Sequence, residues 1–181
     1  MVVAGRTKLL YAPRRRQLEL LAKYVRGLVF QDESVLVVAV AQPAEAIQDA
    51  FSEQGVDLRR VFIVDATPGG TRRASADPDH LARIHSPSLL ELLTLKVRQA
   101  TRSKAEGRPH FVIFTLDALA QHNPPEALEE LFMQVRATRA FPESDIDLVV
   151  DAERTCDPAL LEFYEREVAE KHNLETQQAL A

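Results

Sequence analysis

The chain has 181 residues, of which 46% are hydrophobic, and it carries a formal net charge of −5. This composition is typical of one globular domain with a sizeable core, and it excludes intrinsic disorder for most of the chain. The acidic balance argues against nucleic-acid binding over the whole surface, although it leaves room for a local basic patch.

Two features bear on the compartment. Cys156 is the single cysteine, so no internal disulfide can form, which is compatible with a reducing environment. No uninterrupted apolar segment approaches the ~20 residues that a membrane helix needs, and residues 1–7 are too mixed for a signal peptide. We therefore expect a cytoplasmic protein that does not enter a membrane.

Five short apolar segments predict β-strands. Three of them are nearly continuous runs rich in valine and isoleucine, which is typical of strands buried on both faces of a parallel sheet. The segments are residues 8–12, 34–41, 60–65, 110–116 and 145–150.

Apolar residues with a helical period lie between the predicted strands and indicate amphipathic helices. Gly55 follows the second of three such stripes and predicts the end of that helix. The stripes are Leu18, Leu21, Val25, Leu28 and Val29; Ala46, Ile47, Ala50 and Phe51; and Leu128, Leu131, Phe132 and Val135.

The alternation of strands and helices predicts one α/β domain over residues 1–171, built as a three-layer α/β/α sandwich. Its sheet is expected to be mainly parallel, with five strands or slightly more. Residues 66–87 are rich in proline and glycine and read as a long loop, which is usually functional or mobile. Residues 172–181 read as a frayed tail, with an exposed helix extension as an equal alternative.

Two segments resemble the KaiC-like branch of the RecA-like P-loop ATPases. Residues 34–65 contain a strand, a helix opened by Pro43 and Glu45, a turn of Gly55-Val-Asp-Leu, and a strand that ends in Asp65. Residues 111–119 look like the strand and turn around the Walker B aspartate of that family. The match extends from about Thr7 to about Glu165 and implies a RecA-like sheet.

The resemblance also identifies what is missing for ATP hydrolysis. The expected P-loop, residues 11–18, has no glycine and no Lys-Ser/Thr pair, and Pro13 removes an amide donor. Val40 and Ala41 occupy the positions of the catalytic acidic pair, and Phe114 occupies that of the Walker B aspartate. The chain therefore reads as a degenerate member that needs no cofactor and is not expected to be an ATPase, while another enzymatic activity stays open.

Arginines form two candidate sites for an anion or a partner. The first group begins the first predicted helix, where the helix dipole favours anions, although ion pairs with residues such as Glu19 are the alternative. The second group lies in the long loop and would contact a neighbouring subunit or a nucleic acid, or else be solvated. The residues are Arg14, Arg15, Arg16, Arg72 and Arg73.

Asp65, Asp117 and Asp151 lie at or just past the carboxyl ends of three predicted strands, the edge at which open α/β sheets bind ligands. Together they would suit a divalent cation. Each also suits a turn cap, and we favour that alternative, so no metal site is predicted. The five histidines show no ligand spacing.

Three functions follow from these observations. The favoured one is a non-catalytic RecA/KaiC-like regulatory or scaffolding module that acts through protein–protein contacts, either as a homo-oligomer or docked on an active ATPase. The second is a nucleotide- or phosphate-ligand-binding protein or enzyme with a rebuilt site at the carboxyl edge of the sheet. The third, less favoured, is nucleic-acid binding through the arginine clusters.

Overall fold

The computed structural model describes residues 6–68, 79–103, 109–137, 145–152, 158, 162, 165–166 and 170–175. Arg72 and Arg73, the second predicted arginine site, lie outside these residues, as does Cys156. The strands are β1 (Thr7–Ala12), β2 (Ser34–Ala39), β3 (Val61–Asp65), β4 (Leu81–Arg83), β5 (Pro109–Phe114), β6 (Ile146–Asp151) and β7 (Glu170–Asn173). The α-helices of the described part are α1 (Gln17–Phe30), α2 (Ala44–Glu53), α3 (Leu90–Ser103), α4 (Leu116–Ala120) and α5 (Pro125–Ala137).

The described strands form one sheet in the order β4-β3-β2-β5-β6-β1-β7, and every neighbouring pair is parallel. Helices α1 and α2 pack on one face of the sheet, and α3, α4 and α5 pack on the other. The predicted three-layer α/β/α sandwich with a parallel sheet is therefore confirmed. All its carboxyl strand ends lie along a single edge.

Two edge strands were not predicted. Strand β4 has three residues, too few to show a pattern, and it lies inside the segment that we expected to be a loop. Strand β7 has the polar sequence EKHN, because its position at the end of the sheet leaves two of its four side chains exposed.

The expectation of a frayed tail from residue 172 is wrong for residues 172–175. His172 and Asn173 belong to β7 and pair with Leu10 and Tyr11 of β1. Leu174 is 2% exposed and packs into the core on the α1 side of the sheet. Residues 176–181 lie outside the described part of the chain.

Burial on both faces explains the continuous apolar runs of the central strands. In β2, Val37 contributes to the core beneath α1 and α2, and Val38 contributes to the core beneath α3 and α5; both are 0% exposed. Each such side chain stabilises the fold by about 1.5–3 kcal/mol. These strands therefore lack the alternation of polar and apolar residues that is typical of a strand with one exposed face.

Left-handed residues end the first two helices. Gly55 has φ 71°, and the amide of Val56 reaches back to the carbonyl of Phe51 at 2.9 Å, which confirms the predicted helix stop. Asp32 has φ 67° at the equivalent place after α1, where the amide of Glu33 bonds to the carbonyl of Leu28 at 3.2 Å. Glycine is the usual residue at such a position because it has no Cβ.

Within the described ranges, no helix combines the length and the apolar character required to cross a membrane.

Candidate functional site

A polar crevice opens at the carboxyl edge of the sheet, where β2 and β5 are neighbours. From β2 the chain proceeds to β3 and β4 on one side, whereas from β5 it proceeds to β6 on the other. Open α/β sheets bind ligands at such a reversal of strand order. The crevice has a volume of about 220 Å³, more than ten times the space that one water molecule needs by the same measure. We call it the carboxyl-edge crevice and describe its walls in turn.

One wall is basic and comes from the turn between β1 and α1. Residues Arg14–Arg16 form a 3-10 turn in which the amide of Arg16 bonds to the carbonyl of Pro13 at 2.8 Å. Arg14 lines the crevice and is exposed, and within the described part of the chain no side chain pairs with it. The beginning of α1, with its partial positive charge, lies directly behind this turn.

The structure divides the predicted cluster of three arginines. Arg16 forms ion pairs with Glu19 at 3.3 Å and with Glu175 at 2.8 Å, so the surface ion-pair alternative holds for this residue. Arg15 is exposed and does not line the crevice. Arg14 alone of the three therefore belongs to the candidate site.

Acidic residues also line the crevice. The amide of Asp151, at the end of β6, donates a hydrogen bond of 3.0 Å to Oδ2 of Asp117, near the start of α4. Both residues line the crevice, and Asp151 is only 6% exposed. Gln121 and His122 complete this side. Two of the three predicted aspartates are thus brought together.

The third predicted aspartate lies elsewhere. Asp65 accepts a hydrogen bond of 2.9 Å from the amide of Ala44 at the start of α2. Its other oxygen accepts from the amide of Thr67 at 2.9 Å and from the Thr67 hydroxyl at 2.6 Å. Strand β3 is three strand spacings, about 14 Å, from β6, so Asp65 acts as a cap. No three His, Cys, Asp or Glu residues of the described ranges are grouped to hold a metal ion.

Thr115 lines the crevice with a hydroxyl that bonds to no other group of the described residues. It precedes α4, but its side chain does not cap that helix, and its hydroxyl has no partner in the described part of the chain. Thr115 is only 3% exposed and yet lines the crevice. The peptide bond that joins it to Phe114 is cis. Sequence reasoning missed Thr115 because nothing in a sequence distinguishes a bonded hydroxyl from an unbonded one.

Apolar side chains follow β2 at the back of the crevice. Val40 is 3% exposed and Ala41 is exposed, and both line the crevice. Phe114, the last residue of β5, is 1% exposed and packs into the core beneath α1 and α2. None of these three side chains can bind a cation or accept a proton.

A second polar cluster, which sequence reasoning also missed, lies at the amino edge of the sheet and does not line the crevice. His110 bonds through Nδ1 to Glu33 at 2.8 Å and through Nε2 to Asp147, and the hydroxyl of Tyr24 donates to Asp147 at 2.6 Å. Burial lowers the pKa of His110, but the hydrogen bonds to both carboxylates outweigh it and raise that pKa to about 9. Burial, and then Asp147, raise the pKa of Tyr24. The hydrogen bonds of this cluster link β5 to α1, to the turn after α1 and to β6.

Comparison with known proteins gives the fold. No protein-family model matches the sequence, and no curated protein matches it. The crystal structure of the uncharacterized protein PH0321 from Pyrococcus horikoshii, in complex with an unknown peptide, is similar with a TM-score of 0.68 and 13% identity, over 95% of this chain and 78% of that one. A structural study of PH0250 from Pyrococcus horikoshii OT3 gives a TM-score of 0.59 and 15% identity, over 94% of this chain and 82% of that one. The likeness establishes the fold and nothing about activity.

Proposed function

We propose that this chain is a non-catalytic RecA/KaiC-like module that acts as a regulatory or scaffolding protein through protein–protein contacts. It would assemble with copies of itself or dock on an active ATPase. One observation carries the proposal. The positions that the resemblance assigns to the acidic pair hold Val40 and Ala41, which line the carboxyl-edge crevice, and the position of the Walker B aspartate holds Phe114, which is buried in the core.

The chemistry of ATP hydrolysis supports this view. A triphosphate with its magnesium ion needs a ring of backbone amides, a lysine and carboxylates that bind the metal and orient water. The turn after β1 instead begins with Pro13, which has no amide hydrogen, and continues with Arg14. A single substitution cannot restore the site, because Phe114 is part of the packed core.

The neighbouring structure provides a precedent for the kind of partner. PH0321 was crystallised with an unknown peptide. A peptide bound to this fold agrees with a module that works by contact with other proteins. The single cysteine of the present chain also fits a cytoplasmic setting.

Calorimetry with ATP and magnesium, together with a phosphate-release assay, tests the missing catalysis. We expect neither micromolar binding nor turnover, and finding both would overturn the proposal. Sedimentation over a concentration series, with and without a RecA/KaiC-like ATPase encoded in the same genome, tests the assembly. A protein that stays monomeric and unbound throughout would contradict a scaffolding role.

A second candidate function is the binding of a small anionic ligand in the carboxyl-edge crevice. It is favoured by Arg14 and Thr115, which line the crevice and whose side chains bond to no other group in the described part of the chain. A thermal-shift screen with nucleotides and phosphorylated metabolites tests it, because a ligand that binds only the folded state raises the melting temperature. We expect the shift to disappear in the variant Arg14→Gln and to persist in the variant Arg15→Gln, which changes a neighbouring arginine outside the crevice.

A further inference from the structure

We propose that Glu33 and His110 form a pH-sensitive latch between the turn after α1 and the sheet. While the imidazole of His110 is charged, it holds the carboxylate of Glu33. When the imidazole becomes neutral at alkaline pH, Nδ1 is the nitrogen that loses its hydrogen, and the Glu33 carboxylate exchanges its bond for water. The turn of residues 31–33 is then released while the sheet stays folded.

Side chains fasten the turn after α1 to the rest of the molecule. Asp32 has φ 67°, and Arg60 bonds to its carbonyl at 2.9 Å and to its carboxylate. The carboxylate of Glu33 lies 2.8 Å from Nδ1 of His110, near the start of β5. The guanidinium of an arginine keeps its charge in the neutral and alkaline range, whereas an imidazole does not. The contact with His110 is therefore the one that responds to alkaline pH.

The carboxylates that bond to His110 differ in their access to water. Asp147 is 0% exposed, whereas the side chain of Glu33 is 37% exposed. The imidazolium carries a hydrogen on each nitrogen and can donate to both carboxylates at once. A neutral imidazole has one hydrogen and one bare lone pair, so it can donate to only one of them. One of these contacts must therefore be lost when His110 becomes neutral.

Asp147 depends on the hydrogen of Nε2 more than Glu33 depends on that of Nδ1. Oδ2 of Asp147 accepts from the Tyr24 hydroxyl at 2.6 Å and from Nε2 of His110. Oδ1 of Asp147 is buried and has no hydrogen-bond partner among the described residues. Without the Nε2 hydrogen, a fully buried carboxylate would keep Tyr24 alone and would face a lone pair, which is unfavourable. Nε2 therefore keeps its hydrogen, and Nδ1 loses the other.

The remaining groups beside His110 come from the neighbouring strands. In β2, Val35 is paired in register with His110 and brings no charge. In β1, Lys8 is paired in register with Asp147, and its amine lies 4.0 Å from Asp145, the residue before β6. Because the charges of Lys8 and Asp145 have opposite signs and lie together, they offset each other at the imidazole.

The pH at which the latch opens follows from the surroundings of His110 and Tyr24. Burial lowers the pKa of His110, but the hydrogen bonds to Asp147 and Glu33 outweigh it and raise that pKa to about 9. Burial, and then Asp147, raise the pKa of Tyr24, so its hydroxyl remains a donor. The latch is therefore closed at neutral pH and opens as the pH passes through about 9.

NMR spectra of the native chain with ¹⁵N-labelled histidine, recorded from neutral pH to about pH 10, test the latch. We expect both ring nitrogens of His110 to carry hydrogen at neutral pH, and Nδ1 alone to lose it as the pH passes through about 9. Backbone relaxation should show residues 31–33 becoming mobile with the same midpoint, while β5 and β6 stay rigid. Loss of the hydrogen from Nε2, or a turn that does not respond, would overturn the proposal.

Substitutions of Glu33 test whether the release depends on this side chain. A glutamine has both a donor and an acceptor, so Glu33→Gln can pair with Nδ1 in either state and should keep the turn rigid throughout while His110 titrates at lower pH. Glu33→Ala removes the contact and should leave the turn mobile at neutral pH. Glu53→Gln, at the exposed end of α2, is the matched control and should behave as the native chain.

The same measurements distinguish a latch from a general effect on stability. If the turn of Glu33→Gln becomes mobile at the same pH as the native turn, the release does not depend on Glu33 and the proposal is wrong. If β5 and β6 lose their rigidity together with the turn, His110 acts only on the stability of the whole fold, and the local release is contradicted.

Discussion

Nδ1 of His110 lies 2.8 Å from Oε2 of Glu33, at the amino end of a strand whose histidine side chain is only 4% exposed. The other ring nitrogen faces Asp147, which is fully buried. A histidine with a carboxylate at each nitrogen is held in its charged form. The cluster therefore contributes a pH-dependent part of the stability of the fold.

We predict that the free energy of unfolding falls as the pH rises from about 6.5 to about 9. The pKa of His110 is raised from 6.5 to about 9 in the folded protein, so the contribution is complete below 6.5 and is lost as the pH passes through the folded value. A shift of this size corresponds to on the order of 3 kcal/mol. Urea unfolding at a series of pH values measures it.

The variant His110→Gln should lose most of the decrease in the free energy of unfolding between pH 6.5 and pH 9. It should also be less stable than the native chain at pH 6. His172→Gln is the matched control, since His172 lies on an edge strand and pairs with the partly exposed Glu170 of the same strand. The control should keep the pH dependence of the native chain. If the free energy of unfolding depends on pH equally in the native chain and in His110→Gln, the proposed charge state of the cluster is wrong.

Asp65 should matter for stability and not for ligand binding. Asp65→Ala deprives the amide of Ala44 and both donors of Thr67 of their buried acceptor, and we expect a loss of about 2–3 kcal/mol. Asp49→Ala, on the exposed side of α2, should change stability by less than about 0.5 kcal/mol. Chemical denaturation measures both variants. If Asp65→Ala altered the affinity of crevice ligands without a loss of stability, its assignment as a cap would be wrong.

Phe114→Asp should not recreate a catalytic site. The aspartate would replace a side chain that is 1% exposed in the core, and both the lost packing and the buried charge are unfavourable, by about 4 kcal/mol or more. Phe114→Leu, which keeps an apolar side chain, should cost about 1 kcal/mol. Thermal unfolding and a phosphate-release assay measure the two consequences. A stable Phe114→Asp variant that releases phosphate from ATP would show that this position faces the crevice.

Asp32 offers a position at which glycine should stabilise the protein. Its φ of 67° is unfavourable for a residue with a Cβ. Asp32→Gly should gain about 0.5 kcal/mol, because the bond of 2.9 Å from Arg60 to the Asp32 carbonyl is kept and the lost ion pair is exposed. Gly55→Ala, at φ 71°, is the converse variant and should lose about 1 kcal/mol. Urea unfolding should show that Asp32→Gly raises the free energy of unfolding and that Gly55→Ala lowers it. Changes of the same sign in both variants would contradict the argument from the backbone angles.

Most of the fold could be predicted from patterns of neighbouring residues in the sequence. The stripe of Leu128, Leu131, Phe132 and Val135 is buried at every position, since helical spacing alone decides which residues share a face. Gly55 ends α2 as predicted because only its own backbone angles are involved. Strands β4 and β7 escaped prediction because hydrogen bonds to neighbours, rather than their own composition, make them strands.

The amino-acid sequence by itself determined the layer architecture and the parallel sheet, because burial of a strand on both faces requires continuous apolar residues. It also determined that chemically suitable side chains for ATP hydrolysis are missing from the positions that the resemblance assigns to them. Only the tertiary structure decided that Arg14 meets Thr115, Asp117 and Asp151 in one crevice while Asp65 and Arg16 are used elsewhere. The reason is that strand order brings together residues more than a hundred positions apart, and no local pattern encodes that distance.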